Sequence, residues 1–318
     1  YLFVGEAFGP LAGFTTGWLL WLSRTLTIAT QLNLLAEYSG GLWPALGEPG
    51  GARTLFIIGL TALLTALTLT GSGPSARTNA VLTVVKLGLL FALAAICLPL
   101  ADVSRLTPGP TPEWTSISDT ILLLLFAFFG FEVVTVVAGE TRDPQRTMPR
   151  GLLIGLAMIT LTYILVIAGT IGVLPDPTTK ERAVLVAADA AAGATGGAIA
   201  LAAALAVLLG SLASAFLLAP RLLFALAEGK QLPAVFARVD AKRHTPWVSI
   251  VVTSAAACLL ALFHSFVTAL VLATAVRLLV YIACCIAMLR LRKGGPAAMF
   301  IAPFGGFLAV AGVAAGAL

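Results

Sequence analysis

Charge is what this chain has least of. Its 318 residues include 19 Lys and Arg and 14 Asp and Glu, only 10% charged in all, while 59% are hydrophobic. Soluble domains run at about 25% charged and about 45–50% apolar. So few polar residues could not cover so much apolar surface in water, so lipid must be the solvent for most of the chain. The mean hydropathy of +1.03 agrees. Histidine is also scarce. His244 and His264 fall in different connections, on opposite sides of a membrane, so they form no metal pair. Four cysteines (Cys97, Cys258, Cys284 and Cys285) all lie inside apolar runs, without disulfide or metal spacing, and read as packing residues. There is no HExxH, GxSxG or GxxxxGK[ST]. Without a nucleophile, base or metal constellation the chain does not read as an enzyme, and no cofactor is expected. The net charge of +5 reflects basic loops rather than a nucleic-acid partner.

What is present is a series of apolar runs, each near the roughly 20 residues a spanning helix needs. Nine spans follow: Leu11–Tyr38, Thr54–Thr70, Asn79–Leu98, Ile117–Gly139, Gly151–Leu174, Gly196–Ala219, Trp247–His264, Phe266–Leu289 and Phe300–Leu318, the last incomplete. The fold class is therefore all-α, a polytopic transmembrane helix bundle. Turn residues mark the connections, as in Gly71-Ser-Gly-Pro74, which reads as a turn. A short surface helix is expected over Lys180–Ala192, and an amphipathic helix followed by a loop over Pro220–Pro246. Tyr1 is not an initiator Met, and the chain stops inside the apolar run Phe307–Leu318, so both ends read as cuts.

Lys and Arg set the orientation. With the N-terminus in the cytoplasm, the cytoplasmic connections hold Arg77, Arg142, Arg146, Arg150, Arg221, Lys230, Arg238, Lys242, Arg243, Arg290, Arg292 and Lys293. The outer ones hold Arg53, Arg105, Lys180 and Arg182. Twelve against four is the bias expected of a cytoplasmic-membrane protein with its basic loops inside.

Arg24, Lys86, Glu132 and Arg277 lie within spans. A charge at the bilayer centre costs about 2.5–3.5 kcal/mol on insertion scales, and such groups face a cavity or a partner or mark a substrate or ion route. Arg24 and Glu132 could relieve each other; a free Arg24 would favour an acidic substrate side chain. Sequence offers no partner for Arg277. Gly130 sits beside Glu132 in Phe126-Ala-Phe-Phe-Gly-Phe-Glu132. Either it opens a helix break, where transporters place substrate and ion sites, or it lets a neighbouring helix approach.

At these residues the chain resembles the amino acid–polyamine–organocation superfamily of permeases, which share the LeuT-type inverted-repeat fold. Glu6-Ala-Phe-Gly-Pro-Leu-Ala-Gly-Phe14 is similar to the start of that family's third helix. Phe128-Phe-Gly-Phe-Glu132 with Gly139-Glu-Thr-Arg-Asp-Pro-Gln-Arg-Thr-Met-Pro-Arg150 looks like its sixth helix and following loop. Ala225-Leu-Ala-Glu-Gly-Lys-Gln-Leu-Pro233, Phe236-Ala-Arg-Val and Thr245-Pro246 are similar to the loop after its eighth helix. The resemblance makes residues 1–318 a single transporter domain comprising helices three to eleven of about twelve.

It implies a secondary active transporter moving amino acids across the cytoplasmic membrane by proton-coupled symport with alternating access. The expected partners are an amino acid, the proton and the bilayer. Phe126 falls at an aromatic gate; Ala127, Phe128 and Phe129 would offer carbonyls to the substrate amino group, with Gly130 at the break and Arg24 near the cavity. Glu132 matches a carboxylate linked to proton sensing. Lys86 matches a fifth-helix lysine whose ammonium replaces the sodium ion of sodium-coupled relatives, with Ser211 and Ser214 nearby on the eighth helix. Ala213 departs from the family, where many members have Asn. A lysine can gain and lose its proton as a cavity opens; arginine cannot. The competing readings are an exchanger or exporter of amino acids or polyamines, and a truncated remnant or regulatory membrane subunit.

Overall fold

In a bilayer every backbone polar group must find its partner within the protein, which leaves long apolar runs no option but helix. The computed structural model describes residues 1–71, 76–107, 114–130, 143–176 and 182–291. They form α1 (Leu2–Phe8), α2 (Pro10–Ser39), α3 (Pro44–Gly47), α4 (Gly51–Leu69), α5 (Ala76–Cys97) and α6 (Trp114–Ala127). These are followed by α7 (Pro144–Val173), α8 (Ala183–Leu218), α9 (Pro220–Glu228), α10 (Trp247–Phe263) and α11 (Phe266–Leu291). Proline opens α2, α3, α7 and α9, where its missing N–H costs nothing.

Seven of the nine expected spans correspond to α2, α4, α5, α7, α8, α10 and α11; α6 covers only the first part of Ile117–Gly139, whose residues 131–139 lie outside the described residues, as does the ninth span, Phe300–Leu318. Among the described residues, five segments are long and apolar enough to cross a membrane by length and composition alone: Gly51–Leu69, Thr83–Leu100, Gln145–Val173, Ala183–Glu228 and Phe266–Leu291. The shortfall has physical reasons. The α2 helix has the length, at 30 residues, but is diluted by Thr, Ser, Gln and Asn; α10 is apolar but has only 17 residues; and α6 stops after 14. The expected surface helix and the sixth span are joined in α8, where Ala192 and Gly193 leave helical geometry, Gly193 at φ +63°.

The chain divides into two compact units: residues 1–73, 112–126 and 208–318 in the first, and residues 74–111 and 127–207 in the second. In the first unit α2 is the central element. Ile28, Ala29, Leu32 and Ala36 are wholly buried, and α11 meets α2 through small residues such as Ala269 and Ala273, which permit close approach. The Trp21 indole N–H donates to Thr253 Oγ1 of α10 at 3.1 Å. Asn33, buried in the same helix, donates its amide to the carbonyls of Ala261 (2.9 Å) and His264 (3.2 Å) at the end of α10. Its Oδ1 in turn accepts from Arg53 of α4 at 3.1 Å.

In the second unit α5 packs on α7, and Leu93 forms a buried cluster with Ala188, Ala200 and Ala203 of α8. The connection after α5 is latched to the end of α7. Asp102 N–H donates to Gly172 O at 2.9 Å, and Arg105 donates to the Leu174 carbonyl, a cation on a helix C-terminus. The hydroxyl of Ser104 and its backbone N–H hold the exposed Asp102 carboxyl below its ordinary range, with Arg105 assisting. Large apolar side chains face outward in both units, among them Leu55 and Leu259 in the first and Leu153 and Ile164 in the second. In water such surfaces would be a liability; they suit a multi-pass membrane protein.

Candidate functional site

The sequence placed its main site on Phe126–Glu132, and α6 ends there. It stops at Ala127; residues 128 to 130 form a turn, with Gly130 at φ +113°. That backbone is open to glycine and strained for other residues. The last four carbonyls of an α-helix have no partner within it. One of them, Ala127 O, accepts a hydrogen bond from the hydroxyl of Tyr163, on α7, at 2.8 Å. The Phe128 ring stands edge-on to the same tyrosine, centroids 5.3 Å apart and planes at 74°. Tyr163 thus braces the turn through a polar tip and an aromatic face. Sequence reasoning missed it; the signal was a tyrosine in the middle of an otherwise apolar helix. Phe126 and Phe129 are half-buried. Glu132, and with it the expected Arg24–Glu132 pair, lies outside the described residues.

Arg24 is half-buried on α2. Beside it the structure assembles a cluster that the sequence did not reveal. Arg277 of α11 is only 3% exposed. Its Nε–H donates to Ser23 Oγ at 3.0 Å and its Nη2 to Thr27 Oγ1 at 3.3 Å. Ser23 donates onward to Ala273 O at 2.8 Å, and Thr27 to Ser23 O at 2.9 Å. Arg277 therefore finds hydroxyls one helical turn apart on α2, and Ser23, Arg24 and Thr27 put a polar patch in the middle of that helix.

Lys86 is half-buried on α5, in the second unit. Ser211 and Ser214 are half-buried on α8, in the first. Each donates within its own helix, Ser211 Oγ to Leu208 O at 3.1 Å and Ser214 Oγ to Gly210 O at 3.0 Å. Such back-bonds let hydroxyls sit in an apolar setting, and they leave the oxygen lone pairs able to accept. The residues expected to surround the substrate are also split: Arg24 and Phe126 belong to the first unit, Ala127 to Gly130 to the second.

His244 and His264 lie beyond opposite ends of α10, whose 17 residues rise about 25 Å. Among the described residues no group of three or more His, Cys, Asp or Glu could hold a metal, and the cysteines are free thiols. The first unit also holds a cavity of about 380 Å³, lined by His244 but by none of the residues expected for substrate or proton coupling.

Comparison with known proteins sets this geometry in a family. A family model described as amino acid permease matches residues 1–317. The chain is 26% identical to the gamma-aminobutyric acid permease of Escherichia coli, over 92% of this chain and 66% of that protein. It is 26% identical to solute carrier family 7 member 13 of Mus musculus, over 82% of this chain and 56% of that protein. It is likewise 26% identical to the serine/threonine exchanger SteT of Bacillus subtilis, over 79% of this chain and 58% of that protein. The chain thus spans about two-thirds or less of the length of these relatives. With a match that runs from end to end, the chain belongs to the amino acid permease family, a family of transporters rather than enzymes.

Proposed function

We propose that this protein is a secondary active transporter that carries amino acids across the cytoplasmic membrane by alternating access, coupled to protons as a symporter. The observation that carries the reading is the end of α6 at Ala127, followed by a turn with Gly130 at φ +113°, inside an otherwise apolar run. A helix that stops at membrane depth presents carbonyls that can receive a substrate ammonium group. Ala127 O keeps a second lone pair beside its bond to Tyr163. Phe126, Phe128 and Phe129 supply aromatic surface around that point; Gly130 supplies the turn. Glu132 adds negative charge for the ammonium, and Arg24 sets the response to charged substrate side chains.

Lys86 is the coupling group in this reading, because a lysine can cycle between charged and neutral forms while the bundle rocks. Ser211 and Ser214 are assigned to the same coupling function in this reading. The Lys and Arg bias orients the basic connections towards the cytoplasm. A second reading, obligate exchange, is favoured by one observation: SteT, similar over 79% of this chain, is a serine/threonine exchanger.

Labelled amino-acid uptake into proteoliposomes separates the two. Uptake that rises with an inward proton gradient, and falls to background in Lys86→Ala at unchanged protein levels, is the expected result. Uptake that ignores the gradient but requires internal amino acid replaces symport with exchange. Normal gradient-driven uptake by Lys86→Ala removes Lys86 from the mechanism.

A further inference from the structure

The cavity of about 380 Å³ in the first unit lies where α4 ends, α9 begins and the loop into α10 closes. Arg221, Arg243 and His244 contribute to its wall, together with the apolar Leu217, Phe224 and Val239. The loop that presents two of these cationic or donor groups is firmly built. The Asp240 carboxylate accepts the backbone N–H of Lys242 (3.0 Å) and Arg243 (2.8 Å), while Asp240 N–H donates to Thr245 O and His244 N–H to Asp240 O, both at 2.9 Å. Thr245 Oγ1 ties the loop to Leu69 O at the end of α4, at 3.3 Å. Asp240 is thereby turned towards its own backbone, and Arg238, Lys242 and Arg243 outnumber it along the loop.

The depth of the cavity is set by the helix ends. The α4 helix stops at Leu69 and α10 starts at Trp247, which is 44% exposed. Exposed tryptophan at a helix end belongs at the headgroup level, and the excess of Lys and Arg marks this side as cytoplasmic. Basic pockets between helices on that side suit anionic headgroups.

We propose that this cavity binds the phosphate of an anionic phospholipid headgroup. Arg221 and Arg243 are its charge partners and His244 a further donor, with Leu217, Phe224 and Val239 against the glycerol and first acyl carbons. A free phosphate would share the cationic contacts but leave the apolar wall unused, which is why the lipid is favoured. The proposal does not depend on what the transporter moves.

The test titrates the detergent-purified protein, by calorimetry, with short-chain phosphatidylglycerol, short-chain phosphatidylcholine and inorganic phosphate. Phosphatidylglycerol should bind more tightly than the other two. At about fivefold per basic residue, Arg221→Gln with Arg243→Gln should weaken it roughly twenty-five-fold. The exposed pair Arg238→Gln with Lys242→Gln, outside the cavity, should change it far less, and Arg221→Lys with Arg243→Lys should restore much of it. Phosphatidylglycerol binding that survives the first pair of substitutions in a normally folded protein overturns the site. Inorganic phosphate binding as tightly as phosphatidylglycerol overturns the lipid and leaves a free-phosphate site.

Discussion

Ser23→Ala removes one hydroxyl from the packed interface between α2 and α11. That hydroxyl accepts the Arg277 Nε–H at 3.0 Å and donates to Ala273 O at 2.8 Å, with Ser23 wholly buried and Arg277 at 3% exposure. Hydrogen bonds to charged groups contribute about 1.5–3 kcal/mol net, whereas interhelical bonds between neutral groups in membranes average about 0.6 kcal/mol. The charged bond dominates, and the expected loss is about 2 kcal/mol. Thr27→Val should cost less, about 0.5 kcal/mol, because its bond from Arg277 is longer at 3.3 Å and Thr27 is only half-buried. Unfolding of the purified protein in mixed micelles of rising denaturing detergent, followed by tryptophan fluorescence, measures both; Trp21 lies two residues before Ser23 on the same helix. Repeating Ser23→Ala in an Arg277→Met background isolates the pair. Methionine retains most of the volume and adapts its shape. A coupling of about 1–1.5 kcal/mol is expected. If Ser23→Ala costs the same in both backgrounds, Arg277 is not held through Ser23 and the argument from burial fails.

Tyr163→Phe keeps the edge-on contact with Phe128 and deletes only the bond to Ala127 O. It should lower stability by about 1 kcal/mol and reduce amino-acid uptake, and unchanged uptake kinetics would show that Tyr163 does not set the turn. Gly172→Ala would bring a Cβ to 2.9 Å from the Ala101 Cα, where neither backbone can give way. Overpacking of this kind costs about 1–3 kcal/mol, seen as a lower thermal midpoint. Gly155→Ala in the same helix, with open space around it, is the control and should lose nothing.

The helices could be read from the sequence because lipid leaves an apolar run little choice of structure. An interruption near Gly130 was one of two readings the sequence allowed, beside the close approach of a neighbouring helix; the helix stops at Ala127, three residues before the glycine. The break in α8 fell between the predicted surface helix ending at Ala192 and the span beginning at Gly196, where the structure has Ala192 and Gly193 out of helical geometry. Arg277 was visible as a buried charge but its partners were not. Ser23 and Thr27 lie some 250 positions away, and α2 carries polar residues at so many positions that its pattern does not say which side meets α11. Tyr163 and the Asn33–Arg53 bond were hidden for the same reason: each depends on which helix lies opposite.

The sequence by itself determined the solvent, the helical class and the resemblance to permeases. The first two follow from local composition and from the cost of an unbonded peptide group in lipid; the resemblance rests on motifs such as Phe128-Phe-Gly-Phe-Glu132. Tertiary structure decided which polar side chains face one another, because helix rotation and pairing are set by packing among distant segments. It gave Arg277 its hydroxyls and the end of α6 its tyrosine brace. It also gathered Arg221, Arg243 and His244 around one cavity where three chain segments converge.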